Sequence, residues 1–206
     1  MAFFDDPLPG PDTWEEPAPE PWEGPPANEL GASVPIRVIL ARTERVLVAV
    51  VDVTAYSTGF ELQVTMRRFA SDAEDECLDW WEAGGPDAFR FGIQYADGTK
   101  VTDRSGWERP PRGPVLLGRG GGGGGDRYEQ GYWAWPLPPP GPMELVCQWP
   151  AEQIALTRTE VDAAVILAAA RMSEPLWDAS RAARARGGAW ASTFAVQHAV
   201  KKGDDE

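Results

Sequence analysis

The residues whose spacing comes nearest to a known chemistry are the glycines in the middle of the chain. Gly118–Gly123 satisfies G-x-G-x-x-G, the spacing with which a glycine-rich loop holds a dinucleotide. That fingerprint needs a helix directly after the loop, because the helix N-terminus binds the pyrophosphate. Here Asp126 would repel a phosphate and leads into an aromatic strand, and no Lys-Ser or Lys-Thr follows as in a P-loop. We therefore expect no nucleotide site, but a mobile loop between strands.

Nucleophilic catalysis has few residues to build on. The single histidine, His198, lies in the predicted C-terminal tail, and no G-x-S-x-G motif is present. Cys147 lies among apolar residues of a predicted strand, where we expect a buried free thiol, and Cys77 lies among acids that would raise its pKa. We therefore expect no catalytic residue and no cofactor.

Clustered carboxylates are the one candidate for cation binding. They are Asp72, Glu74, Asp75, Glu76, Asp79 and Glu82. Hard oxygen ligands suit calcium, but Cys77 stands where the EF-hand loop needs its central glycine. The favoured interpretation is a solvated acidic loop over residues 70–87 without a metal. A paired-carboxylate hydrolase is a further alternative, although nothing selects the pair.

Aromatic residues supply the candidate binding surface. Ten tryptophans in 206 residues is a high count, and Trp133 and Trp135 point to the opposite side of a predicted strand from Tyr132. One side must turn outward or lie under a loop, so we expect an aromatic surface that binds a protein, a peptide or a sugar. An aromatic-rich core is the alternative. The candidate surface consists of Tyr56, Trp107, Tyr128, Tyr132, Trp133 and Trp135.

The first 31 residues have the composition of a disordered tail. They contain eight prolines and eight acidic residues without a lysine or arginine, so they bury too little to offset the entropy of ordering. Four aromatic residues are spaced among the charges and predict a docking segment for a protein partner: Phe3, Phe4, Trp14 and Trp22. The alternative is a solubilising tail. In both cases deletion of residues 1–30 is expected to leave the melting temperature nearly unchanged.

The charge balance excludes two classes of partner. The net charge is −13, and an acidic surface repels phosphate backbones and anionic membranes, so we expect neither nucleic acid nor membrane as a partner. No basic and apolar leader opens the sequence, and no apolar run is long enough to span a bilayer. We expect a reduced, cytoplasmic protein without disulfides.

Short strands separated by turn signals predict the fold. Phe60–Met66 alternates apolar and polar residues, as a half-buried strand does, and Asp97-Gly98 predicts a type I′ hairpin. Thr157–Glu160 has the form of a helix capping box, and the apolar spacing behind it predicts a helix over about 158–172. The whole predicts an antiparallel β-sandwich, immunoglobulin-like or fibronectin-like, with one C-terminal helix packed on it.

The domain boundaries follow from composition. We expect the sandwich and its helix over residues 32–177, after the acidic tail of residues 1–31. Residues 178–206 are rich in alanine, arginine and glycine and predict a second tail, weakly helical or disordered.

Four motifs carry a resemblance to a known group. They are YSTGFEL at 56–62, YADG at 95–98, the glycine run, and WPLPPPGP at 135–142. Over about residues 34–177 the chain resembles an uncharacterised group of actinobacterial β-sandwich proteins. The resemblance implies the fold but no activity, so no functional residue is transferred by it.

These patterns together predict a non-enzymatic binding or adaptor protein. It would engage a protein partner through the aromatic surface or through the acidic-aromatic N-terminal tail. A sandwich that binds a small ligand or carbohydrate is the first alternative, and the carboxylate-dependent hydrolase is the second. An exposed aromatic surface could equally be the face of a homodimer.

Overall fold

The computed structural model describes residues 19–69, 87–103 and 111–178, and these are mainly β-strand. The strands are β1 Glu29–Leu30, β2 Ala32–Ser33, β3 Val38–Arg42, β4 Val46–Ala55, β5 Phe60–Arg68, β6 Arg90–Gln94, β7 Lys100–Thr102, β8 Val115–Gly124, β9 Arg127–Trp135, β10 Pro142–Trp149, β11 Ile154–Asp162 and β12 Glu174–Pro175. One helix in these residues, α1, spans Ala163–Ala170, and Pro150–Glu152 forms a 3₁₀ turn. The chain divides into two units, and residues 19–176 are one of them. No helix in the described ranges is both long and apolar enough to cross a membrane.

The strands form three antiparallel sheets. The largest has the order β2-β4-β5-β9-β8, with β3 also paired to β4. A four-stranded sheet has the order β11-β10-β6-β7, and β1 pairs with β12 as a two-stranded ribbon. The prediction of a mainly β protein built from antiparallel sheets is therefore confirmed.

One hydrophobic core joins the two larger sheets. Phe60, Leu62, Val64 and Met66 are all buried in it, while the residues between them are at most partly buried, apart from Thr65, as the period of two predicts. Phe91 of the four-stranded sheet and Tyr132 of the six-stranded sheet meet in this core with their ring centroids 4.9 Å apart. Each larger sheet therefore has an inner face in the core and an outer face turned away from it.

The hairpin predicted at Asp97-Gly98 is present between β6 and β7, but its turn differs from the prediction. The Gly98 N–H donates to the Tyr95 carbonyl at 2.9 Å, and the Tyr95 N–H donates to the Thr99 carbonyl at 2.8 Å. Gly98 has a φ of +83°, whereas Asp97 does not have positive φ as type I′ requires. The Asp97 carboxylate accepts a hydrogen bond from the Thr99 N–H at 2.8 Å, and this bond lowers the pKa of Asp97. The loop is therefore a three-residue hairpin that ends in a left-handed glycine.

The glycine run was predicted to be a loop, and that prediction is wrong. Gly120–Gly124 belongs to β8, which pairs with β9 along its length with one register shift between Arg119 and Gly121. Backbone hydrogen bonds to β9 stabilise the glycines in an extended conformation, and this gain outweighs the conformational entropy that glycine loses in a strand. At Gly123 a β-carbon would lie 2.1 Å from the Arg127 backbone carbonyl oxygen. A glycine is therefore needed there for the close approach of the two strands.

The predicted helix start is also wrong. Thr157–Glu160 lies inside β11, which pairs with β10 from Pro142–Asp162 to Trp149–Ile154. The helix begins after Asp162, whose carboxylate accepts the Ala164 N–H at 2.9 Å as an N-cap. The ladder to β10 satisfies the backbone that the capping box would otherwise satisfy, so tertiary pairing overrides the local signal. Because the helix starts later, its buried side is formed by Ala163, Ile166, Ala169 and Ala170.

Candidate functional site

The structure does not place the predicted aromatic surface in solvent. Tyr132 and Trp133 are 4% and 0% exposed, so the expectation that these two rings form an exposed surface is wrong. Tyr132 belongs to the core, whereas Trp133 is buried on the outer face of the same sheet. Tyr56, Tyr128 and Trp135 are half-buried, and Trp107 lies outside the described residues.

Trp133 is covered by the chain's own N-terminal segment. Its indole N–H donates to the Pro21 carbonyl at 3.2 Å, and the Tyr56 ring packs edge-on against it at 5.8 Å between centroids. Next to this pair the Trp22 ring packs edge-on against Trp135 at 6.1 Å. We call the outer face of the six-stranded sheet around Trp133 and Trp135 the covered face. Trp133 at its centre is fully buried and stabilises the fold.

Polar contacts hold the N-terminal segment in place at both of its ends. The Arg119 guanidinium donates to the Glu23 carbonyl at 2.9 Å, and the Ser57 hydroxyl donates to the Glu29 carboxylate at 2.6 Å. Residues 19–31, which the sequence assigns to the tail, therefore lie against the sheet. Composition does not predict this contact, because it counts residue types and contains no information on packing against distant strands.

Of the predicted docking residues, only Trp22 is described, and it packs internally. Its indole N–H is buried and finds no hydrogen-bond partner among the described residues. Phe3, Phe4 and Trp14 lie outside the described residues. The docking role of the tail therefore stays a prediction for those three, while Trp22 is a packing residue.

The outer face of the four-stranded sheet, which we call the open face, contains a groove of about 370 Å³. Its floor is at Gly92 on β6, which lies opposite Val146 of β10 on one side and Thr102 of β7 on the other. Phe91 and Ile93 of β6 point into the core, so Gly92 faces outward between longer side chains. Gly92 itself is buried, and a β-carbon there would lie 2.8 Å from the Val101 carbonyl oxygen, so the close approach of β7 requires a glycine. The neighbouring side chains extend beyond Gly92 and leave a depression in the middle of the face.

Polar side chains border one end of the groove. Lys100 lies opposite Gln94 in the β6–β7 hairpin, and the Arg158 guanidinium donates to the Gln94 amide oxygen at 2.9 Å. Arg158 also pairs with the Glu144 carboxylate on β10. Leu156, which is 57% exposed, adds an apolar wall. The groove therefore combines an apolar floor with a cluster of N–H donors at one end.

The sequence contains one local signal for this groove. The strand from Phe89 to Tyr95 alternates aromatic or aliphatic residues with Arg90 and Gln94, and Gly92 stands between these two on the polar side. A glycine in the middle of a strand weakens it and often marks a place where something approaches the backbone closely. Only the pairing with β10 and β7, however, brings the other walls to it.

Cys147 lies beneath the groove on the core side of β10. It is a buried free cysteine, as predicted, and its sulfur lies 3.1 Å from the Thr157 hydroxyl oxygen. Burial raises the pKa of the thiol, so the neutral form is favoured and nucleophilic reactivity is reduced. His198, Cys77 and the acidic cluster of residues 72–82 lie outside the described residues.

The chain is thus a mainly β protein built from antiparallel sheets. The outer face of its six-stranded sheet is covered around Trp133, and the outer face of its four-stranded sheet contains a groove. Comparisons with protein-family models, with curated proteins and with solved structures find no match to it. The resemblance to the actinobacterial group stays a prediction.

Proposed function

We propose that this chain is a non-enzymatic binding protein whose site is the groove on the open face and whose ligand is a small organic molecule. The observation that carries the proposal is the depression at Gly92, where a sheet otherwise covered by side chains leaves about 370 Å³ of space. Small-molecule sites are typically concave, mostly apolar and supplied with a few polar groups at fixed places. The apolar floor at Val146 and the donors at Gln94 and Arg158 have this form.

A protein-adaptor function has less support from the described residues. Trp133, at the centre of the predicted aromatic surface, is buried under the N-terminal segment. The tail residues Phe3, Phe4 and Trp14 would have to carry an adaptor function instead. Capture of a partner by the full chain and its loss on deletion of residues 1–18 would favour that function over the groove.

Binding at the groove is tested by screening organic fragments against the isotope-labelled protein and following backbone amide signals. We expect fragments to shift the amides of residues 92, 100–102 and 146–148. Val146→Phe puts a larger side chain beside Gly92 and is expected to abolish these shifts. The matched control is Ile39→Phe, which enlarges a half-exposed strand residue on the other sheet and should leave them intact. Shifts that persist in Val146→Phe, or a screen without any shift at these amides, would contradict the proposal.

The more specific fold assignment, immunoglobulin-like or fibronectin-like, is also part of the proposal. We propose an immunoglobulin-like or fibronectin-like relationship at the level of the layers, because two antiparallel sheets share one core. The strand order departs from the immunoglobulin pattern, since β3, β4 and β5 lie side by side in one sheet. The cytoplasmic location stays a prediction from the sequence.

A further inference from the structure

We propose that the ligand of the groove is an organic anion, a carboxylate attached to an apolar body, with the carboxylate held at the Lys100 end. This inference rests on the proposed function and adds the chemical class of the ligand. Three observations carry it: the sign of the charges in the groove, the donors left available at one end, and the apolar character of the floor.

The groove is cationic in an otherwise acidic protein. Its charged lining residues are Arg90, Lys100 and Arg158 with a single acid, Asp103, and the Glu144 carboxylate beside them pairs with Arg158. A small excess of positive charge therefore remains, whereas the whole chain has a net charge of −13. Arg90 and Asp103 already interact with other groups of the protein. A local excess of positive charge attracts and orients an anion, and the remaining negative surface repels the same anion from other positions.

N–H donors converge at the Lys100 end. The Gln94 amide oxygen already accepts a hydrogen bond from Arg158, and its amide N–H₂ can donate to a ligand. Lys100 is exposed and has no ion-pair partner among the described residues. Arg158 has five N–H donors, and its contacts to Gln94 and Glu144 do not use all of them. A carboxylate, which only accepts hydrogen bonds, is the complement of such a set.

The rest of the groove suits an apolar body. Gly92 and Val146 form the floor, and Leu156 stands at the side with 57% of its surface exposed. A ligand carrying a hydrocarbon portion would cover this surface and remove it from water. The volume of about 370 Å³ lies in the lower part of the range for small-molecule sites, so an apolar body of medium size fits.

A matched pair of probes tests the charge independently of the apolar body. Octanoate and octan-1-ol have the same chain length, and only octanoate carries a charge. We expect both to shift the amides of residues 92 and 146–148, with octanoate binding roughly tenfold more tightly, because a charged hydrogen bond is added. Raising the salt concentration should weaken octanoate binding and leave octan-1-ol binding undiminished.

Lys100→Met identifies the group responsible. It keeps most of the aliphatic stem and removes the ammonium, so we expect the advantage of octanoate to fall several-fold and octan-1-ol binding to stay unchanged. Lys100→Arg should retain the preference. Arg67→Met removes one exposed strand cation from the six-stranded sheet and is the control for the change in net charge.

The outcomes separate the two proposals. Equal affinity for octanoate and octan-1-ol at these amides would overturn the anion class and leave the groove as a binding site. The same holds if Lys100→Met and Arg67→Met weaken octanoate equally, because the effect would then come from overall charge. Probes that shift no groove amide, after a fragment screen that also shifts none, would overturn the proposed function itself.

Discussion

The two outer faces of this protein differ in what covers them. On the covered face Trp133 is 0% exposed and bonds to Pro21 of a segment that the chain folds back over its own sheet, and Val115 on the neighbouring strand is 1% exposed. On the open face the outward residues include Gln94, Lys100 and Arg158, which are half-buried or exposed. An apolar outer face is stabilised when another part of the chain shields it from water. A polar outer face can stay in contact with water, so a groove on it can remain accessible. The aromatic residues of the covered face therefore form a stabilising contact with the N-terminal segment, whereas the candidate site lies at Gly92 on the open face.

The largest expected effect is at the centre of the covered face. Trp133→Ala removes a fully buried ring together with its hydrogen bond to Pro21, and we expect a loss of about 3–5 kcal/mol in the free energy of unfolding. Chemical denaturation measures this. Trp133→Phe, which retains a ring, should lose less. A Trp133→Ala protein as stable as the wild type would mean that the covered face is open in solution.

A smaller effect is expected where the N-terminal segment meets the sheet. Trp22→Ala removes the edge-on contact with Trp135 and should lower the free energy of unfolding by about 2 kcal/mol. Trp22→Phe keeps an aromatic contact and removes a buried N–H that has no partner among the described residues, so it should cost little. This result opposes the sequence-based expectation that residues 1–30 can be deleted without effect. An unchanged stability in Trp22→Ala would restore that expectation.

The dependence of stability on alkaline pH tests the burial of Tyr56 on the covered face. Burial raises the pKa of its phenol to about 12, helped by the Glu61 carboxylate, which accepts its hydroxyl at 3.1 Å. The native state then holds the proton more tightly than the unfolded state, so the stabilisation is complete below pH 10 and is lost as pH rises through about 12. Tyr56→Phe should therefore lose less stability over this interval, as measured by denaturation at successive pH values. Ordinary titration of Tyr56 in the native protein would contradict burial under the segment.

The smallest effect is expected on the open face. Leu156→Ser changes a side chain that is 57% exposed, so its effect on the free energy of unfolding should stay within about 0.5 kcal/mol. The same change should weaken binding of apolar probes in the groove. A large loss of stability from Leu156→Ser would show that the open face, like the other one, is covered in solution.

The period-two pattern of β5 could be read from the sequence because it is local. Alternation assigns Phe60 and Leu62 to one side and Glu61 and Gln63 to the other without knowledge of any partner strand. The hairpin at Asp97-Gly98 was predictable for the same reason, although its turn type depended on the hydrogen bond between Asp97 and Thr99. The buried thiol of Cys147 followed from its apolar neighbours.

Where pairing with another strand decides the outcome, the pattern within one segment failed to predict it. Thr157–Glu160 has a good capping signal but lies in a strand because β10 is there to pair with it, and Gly120–Gly124 forms a strand because β9 supplies the ladder. The candidate site depends on tertiary structure in the same way. Gly92 is visible in the sequence, but Lys100, Val146 and Arg158 come together around it only through the registers of three strand pairs.

By itself the sequence determined the fold class, the alternation of the central strands and the acidic balance, since each is a property of neighbouring residues or of the total. Only the tertiary structure shows that Trp133 is covered and that the strands around the buried Gly92 leave a groove. Whether an outer face is covered depends on a segment more than a hundred residues away, Pro21 on Trp133, and no local pattern carries that contact.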